Sequence, residues 1–182
     1  AFLTAFKDNG KEGRVFCARS IDGLSSWRFL SWIGEERLGF NIMPSTVRLE
    51  DGSYLCATRW QEGDLWGIDT FRSTDDCRSW QLQGHPVQGG GLSNPPSLLR
   101  LRDGRLCLTY GYRAKPYGIR ARLSIDSGTR WGDEIILRDD GGHWDLGYVR
   151  SVELPCGDVV SVYYFCHDKS AERTIEATIW RP

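Results

Sequence analysis

Short apolar and alternating runs, separated by turns rich in Gly and Asp, fill the whole chain, and no segment sustains a helical period. Pro44-Ser45-Thr-Val-Arg-Leu49-Glu-Asp51-Gly52 returns as Pro96-Ser97-Leu-Leu-Arg-Leu101-Arg-Asp103-Gly104, and more loosely as Val149-Arg150-Ser-Val-Glu-Leu154-Pro-Cys156-Gly157. Each copy leads through its Gly turn into a run rich in β-branched and aromatic residues: Ser53 to Thr58, Arg105 to Tyr110 and Val159 to Phe165. That pattern predicts three β-hairpins. A polar loop and a third strand follow each hairpin (Gly67 to Arg72, Gly118 to Leu123, Thr174 to Trp180), and a fourth strand comes after a further turn. The predicted unit is a four-stranded antiparallel sheet recurring about every 50 residues, which predicts an all-β chain of propeller blades.

The turn before the fourth strand repeats in phase: Ser20-Ile-Asp22-Gly-Leu-Ser-Ser-Trp27, Ser73-Thr-Asp75-Asp-Cys-Arg-Ser-Trp80 and Ser124-Ile-Asp126-Ser-Gly128-Thr-Arg-Trp131. It resembles the Asp-box, S-x-D-x-G-x-x-W, of sialidase-type propellers. The chemistry of such a turn is structural. Asp and Ser side chains hydrogen-bond turn backbone, Gly supplies a positive φ, and Trp packs between neighbouring sheets. Burial of Trp27, Trp80 and Trp131 is therefore expected, and Leu24 and Cys77 at the Gly place predict distorted or strained turns.

Aligning the repeats divides the chain into blades at approximately 1–40 (partial), 41–92, 93–144 and 145–182 (partial), all in one partial propeller domain. The first lacks an inner strand and the last an outer one, which would leave sheet edges and apolar faces open. Association is expected, as a homo-oligomer or with an N-terminal portion.

Composition narrows the partners. With 23 basic and 24 acidic residues the net charge is −1, which argues for neither nucleic acid nor anionic membrane, and no apolar stretch reaches membrane-spanning length. The six cysteines form no C-x-x-C or other metal spacing, so buried or turn thiols are expected, and neither metal nor cofactor is implied. An even count would also permit disulfides, and the compartment stays open. Of the eight tryptophans, Trp60, Trp66 and Trp144 fall in predicted loops that could line a pocket, and Trp32 and Trp180 read as packing residues.

Strand polarity puts the starts of first strands and the loops after second strands on one face, with the Asp-boxes on the other. That face gathers Asn41, Arg59, Trp60, Asn94 and Tyr112 from the earlier repeats, and Arg113, Trp144, Asp145, Tyr148 and Arg150 from the later ones. Aromatic platforms beside Arg and Asn suit a carbohydrate ligand, and the central mouth is where a propeller places a pocket.

The stretches Ser93-Asn-Pro-Pro-Ser-Leu-Leu-Arg-Leu-Arg-Asp-Gly104, Trp144-Asp-Leu-Gly-Tyr-Val-Arg-Ser-Val152 and Ile175-Glu-Ala-Thr-Ile-Trp-Arg-Pro182 resemble the C-terminal half of sialidase-like BNR-repeat proteins. The resemblance implies a six-bladed propeller and an exo-sialidase or related glycoside hydrolase. Such a site holds the substrate carboxylate with arginines, attacks with a Tyr activated by Glu, and protonates the leaving oxygen with Asp. By its spacing to Gly157, Tyr148 corresponds to the nucleophile, with Arg150 as an anion clamp. The alternative for that pair is a packed aromatic and a structural ion-pair partner. Asp145 reads as an acid, a sugar-hydroxyl ligand or a turn residue. Arg59 and Arg113 end equivalent second strands and are substrate-binding candidates or repeat-structural residues. The family's R-I-P arginine motif is absent, Asn41 and Asn94 hold the nearest places, and Glu176 lies on a third strand away from the mouth. His85, His143 and His167 read as solvated loop residues. Three classes follow: a glycoside hydrolase or part of one, a carbohydrate-binding propeller without turnover, and a protein-interaction scaffold.

Overall fold

The computed structural model describes residues 1–89, 94–168 and 172–182. The expected boundary at residues 92 and 93, and Ser93 itself, lie outside the described residues. Fourteen strands and no helix are found among them: β1 Phe2–Phe6, β2 Gly13–Arg19, β3 Arg28–Ile33, β4 Phe40–Arg48, β5 Tyr54–Glu62, β6 Leu65–Ser73, β7 Gln81–Gln88, β8 Ser97–Arg100, β9 Leu106–Tyr112, β10 Tyr117–Ser124, β11 Ile135–Gly141, β12 Gly147–Glu153, β13 Val159–Phe165 and β14 Thr174–Trp180.

Pairing runs between chain neighbours and is antiparallel: β1-β2-β3, β4-β5-β6-β7, β8-β9-β10-β11 and β12-β13-β14. The first two groups touch through one parallel pair, Gly13 with Phe40. These are propeller blades, stacked in chain order.

The three Gly hairpins share one geometry. Gly52, Gly104 and Gly157 have φ of 83°, 92° and 86°. Their amides donate to the carbonyls of Leu49, Leu101 and Leu154 at 3.1, 3.0 and 2.9 Å. This is a tight turn closed by a left-handed residue, the three-residue hairpin loop that favours Gly.

The Ser/Asp/Trp turns also share one hydrogen-bond pattern. Ser20, Ser73 and Ser124 donate Oγ to Asp22, Asp75 and Asp126, and each Oγ accepts from the amide at the Gly place: Leu24, Cys77 and Gly128. Leu24 and Cys77 take φ of 74° and 64°, close to the 82° of Gly128. The expected distortion is therefore absent. The turns keep their shape, and the departure from Gly is absorbed as left-handed backbone of roughly 1 kcal/mol cost at each non-Gly residue.

No sheet can bury both of its faces alone, so the core is a series of clusters between sheets. Val15 and Ile33 of the first sheet meet Cys56 and Phe71 of the second, with Phe2 and Trp80 alongside. Leu55, Ala57 and Ile68 of the second meet Leu98, Leu106 and Leu108 of the third, with Trp131 against them. Ile119 of the third meets Val149, Tyr163 and Phe165 of the fourth. Each such side chain contributes roughly 1.5–3 kcal/mol on full burial. Serines link the inner strands: Ser45 Oγ accepts from Leu98 N at 2.9 Å, and Ser97 Oγ from Ser151 N at 3.1 Å.

The tryptophans after the turns obey a rule that corrects one expectation. Trp80 packs on the sheet before its own and donates its indole N–H to Ser31 Oγ at 3.1 Å, and Trp131 packs against the cluster between the second and third sheets. No described sheet precedes the first, and Trp27 is 48% exposed where burial was expected. Phe16, Phe29 and Trp32 of the first sheet are in mutual ring contact, so Trp32 is packed as expected on one side yet 44% exposed.

Two predictions follow from this packing. Leu55→Ala should cost about 2–5 kcal/mol, measured as a lower denaturant midpoint with unchanged slope. Asp75 accepts from Ser79 side chain and backbone and from Ser73, which holds its carboxyl at about 2, below the ordinary 3.8. Its stabilising effect is thus fully present above 3.8 and lost as pH falls through 2. Asp75→Asn should unfold earlier than wild type at neutral pH, with the gap between them closing between about pH 4 and pH 2.

Candidate functional site

The candidate site lies where β9 and β13 end and β12 begins. A bulge opens β12: Gly147 pairs with Tyr164, and the next paired residue, Arg150, meets Val162. Tyr148 sits in that bulge at φ 54°, and Met43 occupies the matching bulge of β4 at φ 56°. A positive φ on a bulky residue is a local strain that points Tyr148 outward, 44% exposed, with its ring 5.7 Å from that of Tyr164.

Asn94 anchors this region. It is fully buried, its amide nitrogen donates to the carbonyl of Leu146, and a Cβ on Gly111 or on Gly147 would stand 2.3 Å from that nitrogen. Only glycine leaves room on both sides. Arg113 Nε donates to the same carbonyl at 3.2 Å, so one backbone oxygen holds the amide and the guanidinium together. Asp145 is the next residue back along the chain.

Four side chains then close on one another. Tyr164 donates its hydroxyl to Asp145 Oδ1 at 2.6 Å and accepts from Arg113 Nη2 at 2.7 Å. Arg173 Nη2 donates to Asp145 Oδ2 at 3.2 Å. Trp144, 43% exposed, underlies Arg113 with 5.2 Å from guanidinium carbon to ring. The Tyr164 hydrogen bond, with the Arg113 and Arg173 charges, holds Asp145 below the usual carboxylate range. Burial and the bond to Asp145 push Tyr164 up to about 12. At neutral pH the pair is an ionised acceptor and a neutral donor.

Arg59 adds a third cation beside Arg113 and Arg173. It is half-buried beside the ring of Trp66, 4.9 Å from guanidinium carbon to centroid, and its buried Nε has no hydrogen-bond partner among the described residues. Burial and the neighbouring Arg113 charge pull its pKa down, and Tyr148 and Tyr164 are close enough to act on it electrostatically. Two arginines from successive second strands thus approach one tyrosine pair.

Contacts do not draw in every residue the sequence suggested. Arg150 is exposed and donates to the carbonyl of Val149 at 2.9 Å. Tyr112 lies under the buried Arg120 at 4.8 Å, and Asn41 is buried at the junction of the first two sheets, donating to Ile33 O at 3.4 Å. Trp60 and Trp66 are strand residues, not loop residues as expected, and Trp60 is buried beneath Arg37. His85 lies in β7 instead of a loop, with Nδ1 2.7 Å from the buried Asp69. His143 Nδ1 accepts from Asp145 N at 3.1 Å. Glu176 is bound to Arg138 at 2.9 Å and His167 at 2.6 Å, away from the tyrosine pair. Tyr164 and Arg173 were missed. Alternation along β13, with Tyr163 and Phe165 buried on one side, already turns Tyr164 to the other, whereas nothing local marks Arg173.

Removing the Tyr164 hydroxyl tests this electrostatic unit. Tyr164→Phe should raise the Asp145 titration midpoint toward the ordinary value of about 3.9 while the two arginines keep it below that. Carboxyl-carbon NMR across pH 2 to 6 reads the shift.

No family model matches the chain, and no curated protein sequence matches it. Solved structures do. A protein of unknown function from Dyadobacter fermentans is 27% identical with a TM-score of 0.83, and the match covers all of this chain and 49% of that one. The GH93 α-L-arabinofuranosidase of Fusarium graminearum, solved with arabinobiose, is 17% identical with a TM-score of 0.72, over all of this chain and 62% of that one. The Hadza microbial sialidase Hz136 is 16% identical with a TM-score of 0.62, over 92% of this chain and 34% of that one. The chain spans about half the length of the first of these. Its fold is the propeller shared with these glycoside hydrolases.

Proposed function

We propose that the mouth built by Arg59, Arg113, Asp145, Tyr148 and Tyr164 is a glycoside hydrolase site, or part of one, that takes a terminal sugar. The observation that carries the reading is the half-buried Arg113–Tyr164–Asp145 constellation at 2.7 and 2.6 Å, beside the exposed Trp144 and Tyr148. Trp144 offers an apolar platform for a sugar ring. Arg113 and Arg59 supply donors for a carboxylate or for ring hydroxyls. Tyr148 is the nucleophile candidate, since an uncharged phenol approaches an anionic sugar without repulsion. Asp145, kept ionised, serves as an acceptor for a hydroxyl proton, because a general acid needs the opposite shift.

The assignment to sialidase-like, Asp-box proteins belongs to the same proposal. Its support is the three Ser/Asp/Trp turns with one hydrogen-bond pattern. Association belongs to it as well. A second copy of the chain covering Trp27, Phe29 and Trp32 would give a sedimentation coefficient that rises with concentration, and a constant monomer value refutes that.

Hydrolysis is tested with aryl glycosides of sialic acid and of arabinofuranose. Tyr148→Phe should abolish release of the aryl alcohol while leaving ligand binding nearly intact, and Arg113→Ala should weaken binding about 10- to 100-fold. One feature favours a second reading, binding without turnover. Most glycosidases use a pair of carboxylates, and Asp145 is the one carboxylate bonded to Tyr164 and Arg173 among the contacts of the described residues. Calorimetric binding of the same sugars with no aryl alcohol released selects that reading, and neither binding nor release selects a protein-interaction scaffold.

A further inference from the structure

The place occupied by Gly in the third Ser/Asp/Trp turn points at the sheet before it. A Cβ on Gly128 would stand 2.6 Å from Leu55 Cδ2 of the second sheet. Cys77 occupies that place in the second turn, at φ 64° and only 6% exposed, so its thiol is carried toward the first sheet. Cys17, on β2, is there to meet it. Ser31 is the cross-strand partner of Cys17, and its hydroxyl donates to the carbonyl of Cys77 at 2.6 Å. Arg19 and Asp76, close neighbours of the two cysteines in the chain, form an ion pair at 2.6 Å. Both cysteines line one surface cavity of about 170 Å³, with Phe2, Leu30 and Tyr54. Both are free thiols.

We propose that Cys17 and Cys77 are a cross-link site, which thiol–disulfide exchange with a small disulfide such as oxidised glutathione converts into a covalent tie between the first and second sheets. One cysteine thiolate attacks a glutathione sulfur, forming a mixed disulfide and releasing one glutathione. The second cysteine sulfur attacks the protein sulfur of that mixed disulfide, forming the Cys17–Cys77 bond and releasing the other glutathione. The two protein thiol protons end on the two glutathione thiols, so the protein loses two electrons and the glutathione disulfide gains them. Burial raises both thiols, and the neighbouring Cys17 adds to the shift of Cys77, which reaches about 12. Exchange in the folded protein is therefore slow at neutral pH and accelerates as pH rises. Cys56, the third thiol nearby, is fully buried.

The protein is incubated with oxidised glutathione at pH 8.5, and in parallel refolded from denaturant in a glutathione redox buffer. Two of the six thiols should be lost in the refolded sample. A non-reducing tryptic map should show Val15–Arg19 joined to Ser73–Arg78 and separating on reduction. The cross-linked form should melt roughly 10 °C higher than the reduced one. Cys77→Gly places the turn's preferred residue at φ 64° and is expected to fold, yet to lose no thiol pair. Cys156→Ser, which changes the exposed cysteine, should leave the link unaffected. A full count of thiols in the refolded protein, a link through Cys56, or glutathione adducts at Cys156 alone would overturn the proposal.

Discussion

Every sheet here has two apolar faces and no way to hide either within itself, and the stacking of each sheet on its predecessor is the constraint from which the rest follows. It explains why the clusters lie between sheets and why Leu55, Leu106 and Leu108 are fully buried. It also explains the turns. The left-handed place of the turn aims at the previous sheet, and the tryptophan that follows lies on it. Where a described sheet is present, as for Trp80, the indole packs and finds Ser31; where none is, Trp27 stands open.

The same stacking decides where charge can be tolerated. Asp69, Arg120 and Glu176 occupy one register position on the third strands, opposite Thr58, Tyr110 and Tyr163. A charge there is lost without a partner, and each has one. Arg37 and His85 hold Asp69, Glu134 lies 3.3 Å from Arg120, and Arg138 and His167 hold Glu176. For Glu176, burial opposes ionisation, but hydrogen bonds from Thr174, Arg138 and His167 prevail and bring it to about 2. Arg138 lies on β11 of the third sheet and Glu176 on β14 of the fourth, so that pair ties neighbouring sheets together, whereas Arg37 reaches Asp69 from the segment before its own sheet.

At the mouth the balance is different. Asn94 is bound into a slot that two glycines leave open, and the Leu146 carbonyl it holds also receives Arg113. Asp145 is thereby committed to Tyr164 and Arg173, which satisfies the carboxylate and part of Arg113. Arg59 keeps a buried donor without a partner among the described residues. In the proposed site, an anionic or hydroxyl-rich ligand would meet a surplus of positive donors, the half-buried Arg59 and Arg113, around a strained, outward-facing tyrosine.

Much of the fold was readable from local pattern. Period-two runs, three Gly hairpins and three Ser/Asp/Trp turns are each set by interactions within a few residues, so their chemistry survives in the sequence and yields strands, turns and blade repeat. Residues placed by strand polarity alone, Asp145, Arg113, Trp144 and Asn94, were brought together for the same reason, since polarity follows from counting strands. Contact was not so determined. Arg150 folds back on its own backbone and Tyr112 lies under Arg120, because which way a side chain leans depends on neighbours in other sheets. Arg173 and the exposure of Trp27 likewise depended on which sheet lies opposite, and the proximity of Cys17 to Cys77 on how two sheets are stacked. Those were settled by tertiary packing alone, because residues far apart in the chain carry no local signal of the surface they will meet.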